Sequence, residues 1–271
     1  MSPLLTLAIH QSLWTTAQNG CRQAITTLDL GRSAATVELS DHGWRWEQQD
    51  FPWLDRPRER TIYHWTGSVF EPVARFTDAL YKLIPTPHGP PTFEIDGIKM
   101  LPSAHVSPYE DAARKVRLVQ PQGKRVLDTC GGLGYFAAWC LDVGAAQVVS
   151  FEKNPAVVWL RHLNPWSPGA DERLTLREED CVAAIAGLPD ASFGAILHDP
   201  PRFGIAGELY AQTFYAQLAR VLTPGGRLFH YTGTPNALTS GRDVPAEVTR
   251  RLRQAGFTVA PNGDGLVAVR R

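Results

Sequence analysis

The segment Ile196-Leu197-His198-Asp199-Pro200-Pro201-Arg202-Phe203 ends an apolar run with a carboxylate, two prolines, a guanidinium and an aromatic ring. A carboxylate at such a strand end can accept the proton of a nucleophile. The prolines hold the following turn rigid and offer carbonyls without N–H donors, which suits an N–H nucleophile. The simpler reading is that Pro200 and Pro201 stop the strand while Asp199 caps the turn. Arg202 can grip a carboxylate or phosphate bidentately, or pair with Glu208 or with an acid of the N-terminal part. Phe203 can meet the substrate or enter the core. Further on, His230 and Tyr231 in "GRLFHYTG" can line an acceptor pocket, the alternative being a hydrogen-bonded core histidine.

A second constellation lies upstream. Val126 to Gly134, "VLDTCGGLG", reads as a strand, a glycine-rich turn and a helix start. Glycines let the backbone turn sharply and approach a ligand, and a helix N-terminus offers free amides to a negative group. Glu152 ends the next strand, where a carboxylate can accept hydrogen bonds from both ribose hydroxyls. Asp180, after the third strand, can reach an adenine amino group, and it can equally cap the helix "CVAAIAGL". The loop alone could be a structural turn, but loop, Glu152 and Asp180 together describe a nucleoside site. Its expected contacts are Asp128, Cys130, Gly131, Gly132, Gly134, Glu152, Lys153, Asp180, Cys181 and His198.

Strands and helices in turn must position these residues. From Ser107 onward the pattern alternates: "SPYEDAARKV" as a helix with Ser107 at its cap, then "RVLDTC", "QVVSFEK", "RLTLREED", "SFGAILHD" and "GRLFHYTG" as strands with helices between, and a closing hairpin in "FTVAPNGDGLVAVRR". Such alternation implies an α/β fold with a parallel sheet whose ligands bind at the carboxyl ends of the strands. Residues 1–106 have another texture, with short alternating runs broken by turns, and read as a smaller, mainly β domain. A short helix is expected near "VARFTDALYKLI" and a hairpin in "FEIDGIKML". Five of the eight tryptophans precede residue 66, either covering an acceptor pocket or forming the core of this domain. Tyr109 lies where a chain segment can close over a cofactor and touch substrate.

With these motifs in place, residues 107–271 resemble a class I S-adenosylmethionine-dependent methyltransferase. The family's D-x-G-x-G-x-G pattern is matched at Asp128, Gly132 and Gly134, while Cys130 replaces the first glycine and Gly131 stands beside it. The resemblance implies a seven-stranded Rossmann-like sheet with an antiparallel last strand, S-adenosylmethionine as cofactor, and Asp199 facing the reacting methyl. More narrowly, "DTCGGLGYFA" and "HDPPRFGIAGELYAQTFY" resemble predicted methyltransferases of archaeal type. The expected catalytic residues are Asp199, Arg202 and His230, with Pro200, Phe203, Tyr231 and Tyr109 on the acceptor. Base-methylating enzymes resemble this site too, but place an aromatic where Arg202 stands. RNA uracil-C5 methyltransferases need a cysteine after the fifth strand, and "FHYTGTPN" has none. Spermidine-synthase-type aminopropyltransferases share a similar "DP…FY" segment and remain the alternative. A binding module without turnover and an RNA-modifying enzyme complete the set.

Composition bounds these readings. The chain has 271 residues, 27 basic and 27 acidic, so no overall charge draws it to RNA or to a lipid surface, and a small-molecule acceptor is the expected partner. Arg250, Arg251 and Arg253 read as a solvated helix face. Four cysteines without Cys-x-x-Cys pairing and histidines without ligand spacing fit a reducing cytoplasm and no metal. The opening lacks a leader-like pattern, and no apolar run has membrane-spanning length.

Overall fold

A computed structural model describes residues 2–233 and 243–271, which fall into two units: one ends at Tyr109 and takes in His162–Trp166, and the other holds the remainder. Among the described residues the first unit is partly β. Its strands form three small sheets, β1 (Leu4–Thr6) with β6 (Ile62–Trp65) and β7 (Phe70–Pro72), β2 to β5 (Gln23–Thr26, Ala35–Ser40, Gly43–Trp46, Gln49–Pro52), and β8 to β11 (Ala74–Phe76, Leu80–Ile84, Thr92–Ile95, Ile98–Lys99).

Two elements here depart from expectation. Leu7–Gln18 forms a helix, α1, capped by Thr6 Oγ1, which accepts the Ile9 amide at 3.3 Å. The segment expected to hold a short helix is instead the β8–β9 hairpin. Tyr81 and Leu83 alternate into the interior with the period of a strand, and Asp78 ties the turn by accepting hydroxyl hydrogen bonds from Thr77 and Tyr81. Four of the five tryptophans before residue 66 resolve in favour of a core: Trp44 is buried and stacks on Phe51 at 4.4 Å, with Trp46, Trp53 and Trp65 packed against the same cluster, while Trp14 is exposed.

The second unit follows the expected alternation closely. In order come α2 (Pro108–Val119), β12 (Arg125–Asp128), α3 (Tyr135–Asp142), β13 (Gln147–Phe151), α4 (Pro155–Leu163), β14 (Leu174–Arg177), α5 (Cys181–Ala184), β15 (Phe193–His198), α6 (Gln212–Val221), β16 (Leu222–Tyr231), α7 (Val244–Gln254), β17 (Phe257–Asn262) and β18 (Gly265–Arg270). The sheet order is β14-β13-β12-β15-β16-β18-β17. β18, slotted between β16 and β17 and antiparallel to both, runs opposite to the other six strands. Central strands are buried on both faces, hence the near-continuous apolar runs "VVSF" and "GAIL". Leu127, Ile196 and Leu228 align across β12, β15 and β16 at zero exposure, each burial contributing roughly 2 kcal/mol. This register brings the carboxyl ends of β12, β13, β15 and β16 level with one another, so Asp128, Glu152, Asp199 and Tyr231 come to one edge of the sheet.

Candidate active site

The turn after β12 is built on an arginine that the sequence reading passed over. Arg161 projects from α4, is 4% exposed, and donates to Ser150 Oγ at 3.3 Å. Ser150 in turn donates to Asp128 Oδ2 at 2.8 Å, its cross-strand partner in the β12–β13 pair. A Cβ on Gly131 would meet Ser150 Oγ at 2.4 Å, and one on Gly134 would meet Arg161 Cζ and Nε at 2.7 Å. Gly134 also has φ +81° as it starts α3. Two of the loop glycines thus admit a buried guanidinium as well as a turn. Gly134→Ala is expected to lose about 3 kcal/mol, from left-handed strain plus overpacking against a group with little room to move. A urea midpoint equal to the parent's would contradict this.

Asp128 is fully buried, and its Oδ1 has no hydrogen-bond partner among the described residues. Burial raises its carboxyl to about 6, against the pull of Ser150 and Arg161. Glu152 bridges the loop to its own strand end: Oε2 accepts the Gly132 amide at 3.0 Å and Oε1 the Asn154 amide at 2.9 Å. Burial raises its pKa, and the two amides and Arg161 oppose the rise. The Glu152 carboxylate, fixed beside the loop with lone pairs left beyond the two amides, has the chemistry to accept from hydroxyl donors such as those of a ribose. Asp180 does what the simpler reading held, capping α5 by accepting the Val182 amide at 2.8 Å, while its second oxygen accepts from Lys153 Nζ at 3.1 Å. Cys181 turns its thiol into the core. The Cys130 thiol, half-buried against the same core, is pushed up by desolvation.

Asp199 follows β15 in a different setting from a simple turn cap. Its Oδ2 lies 3.3 Å from the ammonium of Lys115, a residue of α2 only 2% exposed. Lys115 also meets Asp111 at 2.7 Å and Asp264 at 3.9 Å, and its ammonium stands 4.4 Å from the centre of the Tyr231 ring. Arg114 joins Asp111 at 3.0 Å and Asp264 at 2.7 Å from outside. Burial raises Asp199, and Lys115 holds it down in part. Pro200 is buried. Arg202 has no ion pair among the described residues, since Glu208 pairs with Lys153 at 3.5 Å instead. Phe203 packs edge-on to Tyr210 at 5.4 Å and against the core. Tyr109 belongs to the first unit, its ring 5.3 Å from that of Trp166.

Both histidines expected at the site are core residues. His230 has zero exposure, its Nε2 accepting from Tyr215 at 2.9 Å and its Nδ1–H donating to the Tyr231 carbonyl at 2.8 Å. His198 is equally buried, its ring 2.7 Å from Thr129 Oγ1 and 3.1 Å from the Leu209 carbonyl. With both nitrogens engaged inside the fold, neither ring is free to take a proton from an acceptor. Desolvation lowers His230 to about 4, and lowers His198 as well.

The sign of the pH dependence follows. A histidine at 6.5 unfolded and about 4 folded stabilises the protein fully above 6.5, and that stability is lost as pH falls toward 4, by about 3 kcal/mol. Asp128, raised from 3.8 to about 6, acts in the opposite direction over the same window, favouring the fold as it takes up its proton. Asp128→Asn removes the opposing contribution. Its stability should fall more steeply than the parent's between pH 6.5 and 4, as urea midpoints at several pH values would show; parallel profiles would refute the assignment.

The sheet order β14-β13-β12-β15-β16-β18-β17 defines a seven-stranded Rossmann-like fold. Spermidine synthase from Thermotoga maritima shares it, with a TM-score of 0.56 at 19% identity over 73% of this chain and 71% of that one. The chain belongs to the family of the uncharacterised protein MJ1233 of Methanocaldococcus jannaschii, to which it is 42% identical over 209 residues, 75% of this chain and 71% of the relative. The polyamine aminopropyltransferase of Mycobacterium tuberculosis is 31% identical over 153 residues, 53% of this chain and 28% of that enzyme. The match therefore spans little more than a quarter of the aminopropyltransferase. No family model matches the chain.

Proposed function

We propose that this chain transfers a methyl group from S-adenosylmethionine to a nucleophilic N, O or S atom of a small-molecule acceptor. The observation that carries the reading is the placement of Asp199: it follows β15, whose neighbour β12 leads into the Gly132–Glu152 contact, and it faces the buried Lys115 ammonium. Bound S-adenosylmethionine supplies an electrophilic methyl carbon on a positively charged sulfur. Glu152 would accept hydrogen bonds from ribose hydroxyls, with Asp128 beneath the loop and Asp180 on the adenine side as further holders of the cofactor. Asp199 would orient the acceptor and accept its proton, the cofactor supplying the methyl carbon and its sulfur leaving as a neutral thioether. Asp111, Asp199 and Asp264 against Arg114 and Lys115 leave one net negative charge, the complement of a sulfonium donor.

Aminopropyl transfer is the second reading, supported by the relatives that carry polyamine aminopropyltransferase names and by the shared spermidine synthase fold. The two differ in the nucleoside they release. Methyl transfer leaves S-adenosylhomocysteine, whereas aminopropyl transfer from decarboxylated S-adenosylmethionine leaves 5′-methylthioadenosine. Incubating the chain with each donor and a panel of acceptors, then separating the nucleosides, is expected to yield S-adenosylhomocysteine. Accumulation of 5′-methylthioadenosine alone would reverse the order of the readings.

A further inference from the structure

We propose that Lys115 determines acceptor specificity, its ammonium filling a carboxylate and aromatic cage beside Asp199 and so excluding alkylammonium acceptors such as diamines. The proposal rests on the reading of Asp199 as the carboxylate nearest the acceptor.

The cage has the parts that recognise a primary ammonium. Asp111 accepts at 2.7 Å, Asp199 lies at 3.3 Å, Asp264 stands at 3.9 Å, and the face of Tyr231 closes a further side at 4.4 Å. Phe136 and Phe229 add ring centres at 5.9 Å each. The groups converge from the first half of α2, from the end of β15, from the β17–β18 turn and from the end of β16, so the cage is tertiary and not a local helix pair. An i,i+4 Asp–Lys pair on an exposed helix face would leave the ammonium in water. Here the ammonium is 98% buried and part of the chain itself.

A free amine reaching Asp199 would therefore meet a fixed positive charge about one cage width away. Lys115 already pairs with Asp111 at 2.7 Å and Asp199 at 3.3 Å, so a second ammonium beside it finds carboxylates whose charge is largely offset. Binding by displacement of Lys115 is no easier, because the tethered ammonium would be left in the interior without its carboxylates. Acceptors that are neutral or anionic at the reacting end escape this penalty.

The test uses the full chain and its Lys115→Ala variant. The substitution removes a three-carbon stem and its ammonium, so n-propylammonium is the matching probe. Thermal melting of the variant is expected to rise by about 3 °C in saturating n-propylammonium chloride, and to be unmoved by n-propanol or by sodium chloride of equal ionic strength. The parent should respond to none of the three. Equal effects of propanol and propylammonium on the variant would overturn the cage. Should the variant not fold, calorimetry on the parent decides: no heat with 1,4-diaminobutane at millimolar concentration upholds exclusion, and submillimolar binding overturns it. S-adenosylmethionine titrated in the same series keeps the two claims apart, since its failure to bind would defeat the proposed function while leaving the amine result standing.

Discussion

Replacing Asp199 by alanine is expected to lower turnover by about 10²- to 10⁴-fold while S-adenosylmethionine affinity stays within roughly threefold of the parent. The selectivity of that loss follows from where the carboxylate stands. Nothing in the Gly132–Glu152 contact depends on Asp199, because Glu152 accepts from the Gly132 and Asn154 amides and feels the charge of Arg161. The fold should also survive, since Lys115 keeps Asp111 at 2.7 Å and the apolar strand beneath is unchanged. Asp199→Asn sharpens the reading: it preserves the shape and an oxygen toward Lys115 but cannot take a proton, so it should be nearly as inactive as alanine. Equal loss of turnover and cofactor affinity in either variant would make Asp199 a structural residue. Activity of the asparagine variant close to the parent's would exclude proton acceptance.

The largest effect on binding is expected at Glu152. Glu152→Ala should weaken S-adenosylmethionine by about a hundredfold or more, the equivalent of losing two charge-assisted hydrogen bonds to a ribose that are partly replaced by water. The same change frees the Gly132 and Asn154 amides, so some thermal stability goes with it, about 1 to 3 kcal/mol. Glu152→Gln separates the two consequences. An amide oxygen can still serve one backbone donor, which restores part of the stability, but its uncharged head accepts from the ribose less strongly. Calorimetry would read the affinities and denaturant midpoints the stability. An unchanged cofactor affinity in both variants would place the ribose elsewhere.

Much of the local structure around the candidate site was legible in the chain because its signals are local. The helix cap at Asp180, the turn in "DTCGGLG" and the strand end in "ILHDPP" each arise within a few residues, where spacing and side-chain type are sufficient. The α/β alternation was equally plain, since strands buried on both faces read as near-continuous apolar runs and amphipathic helices as periodic ones. The first unit was harder. In "VARFTDALYKLI" the apolar residues fit both periods, and only cross-strand pairing of Phe76 with Leu80 and of Tyr81 with Ile95 selected the strand. Arg161 left a fainter signal, a guanidinium set on the otherwise apolar face of "PAVVWLRHL", and Lys115 left none beyond an ordinary Asp–Lys spacing.

The sequence by itself determined the order of the strands and helices along the chain, the glycine turn, and the carboxylates at the ends of β12, β13 and β15, because those features depend on neighbours along the chain. Tertiary structure alone decided the charge and access of each group. Asp111, Lys115, Asp199, Tyr231 and Asp264 lie as far as 153 residues apart and meet only when the sheet closes. His198 and His230 became core residues when the register of β15 and β16 set one ring edge-on to the other, at 4.5 Å. Burial and the field of distant charges govern protonation and partner choice, and both quantities exist only once the chain has folded.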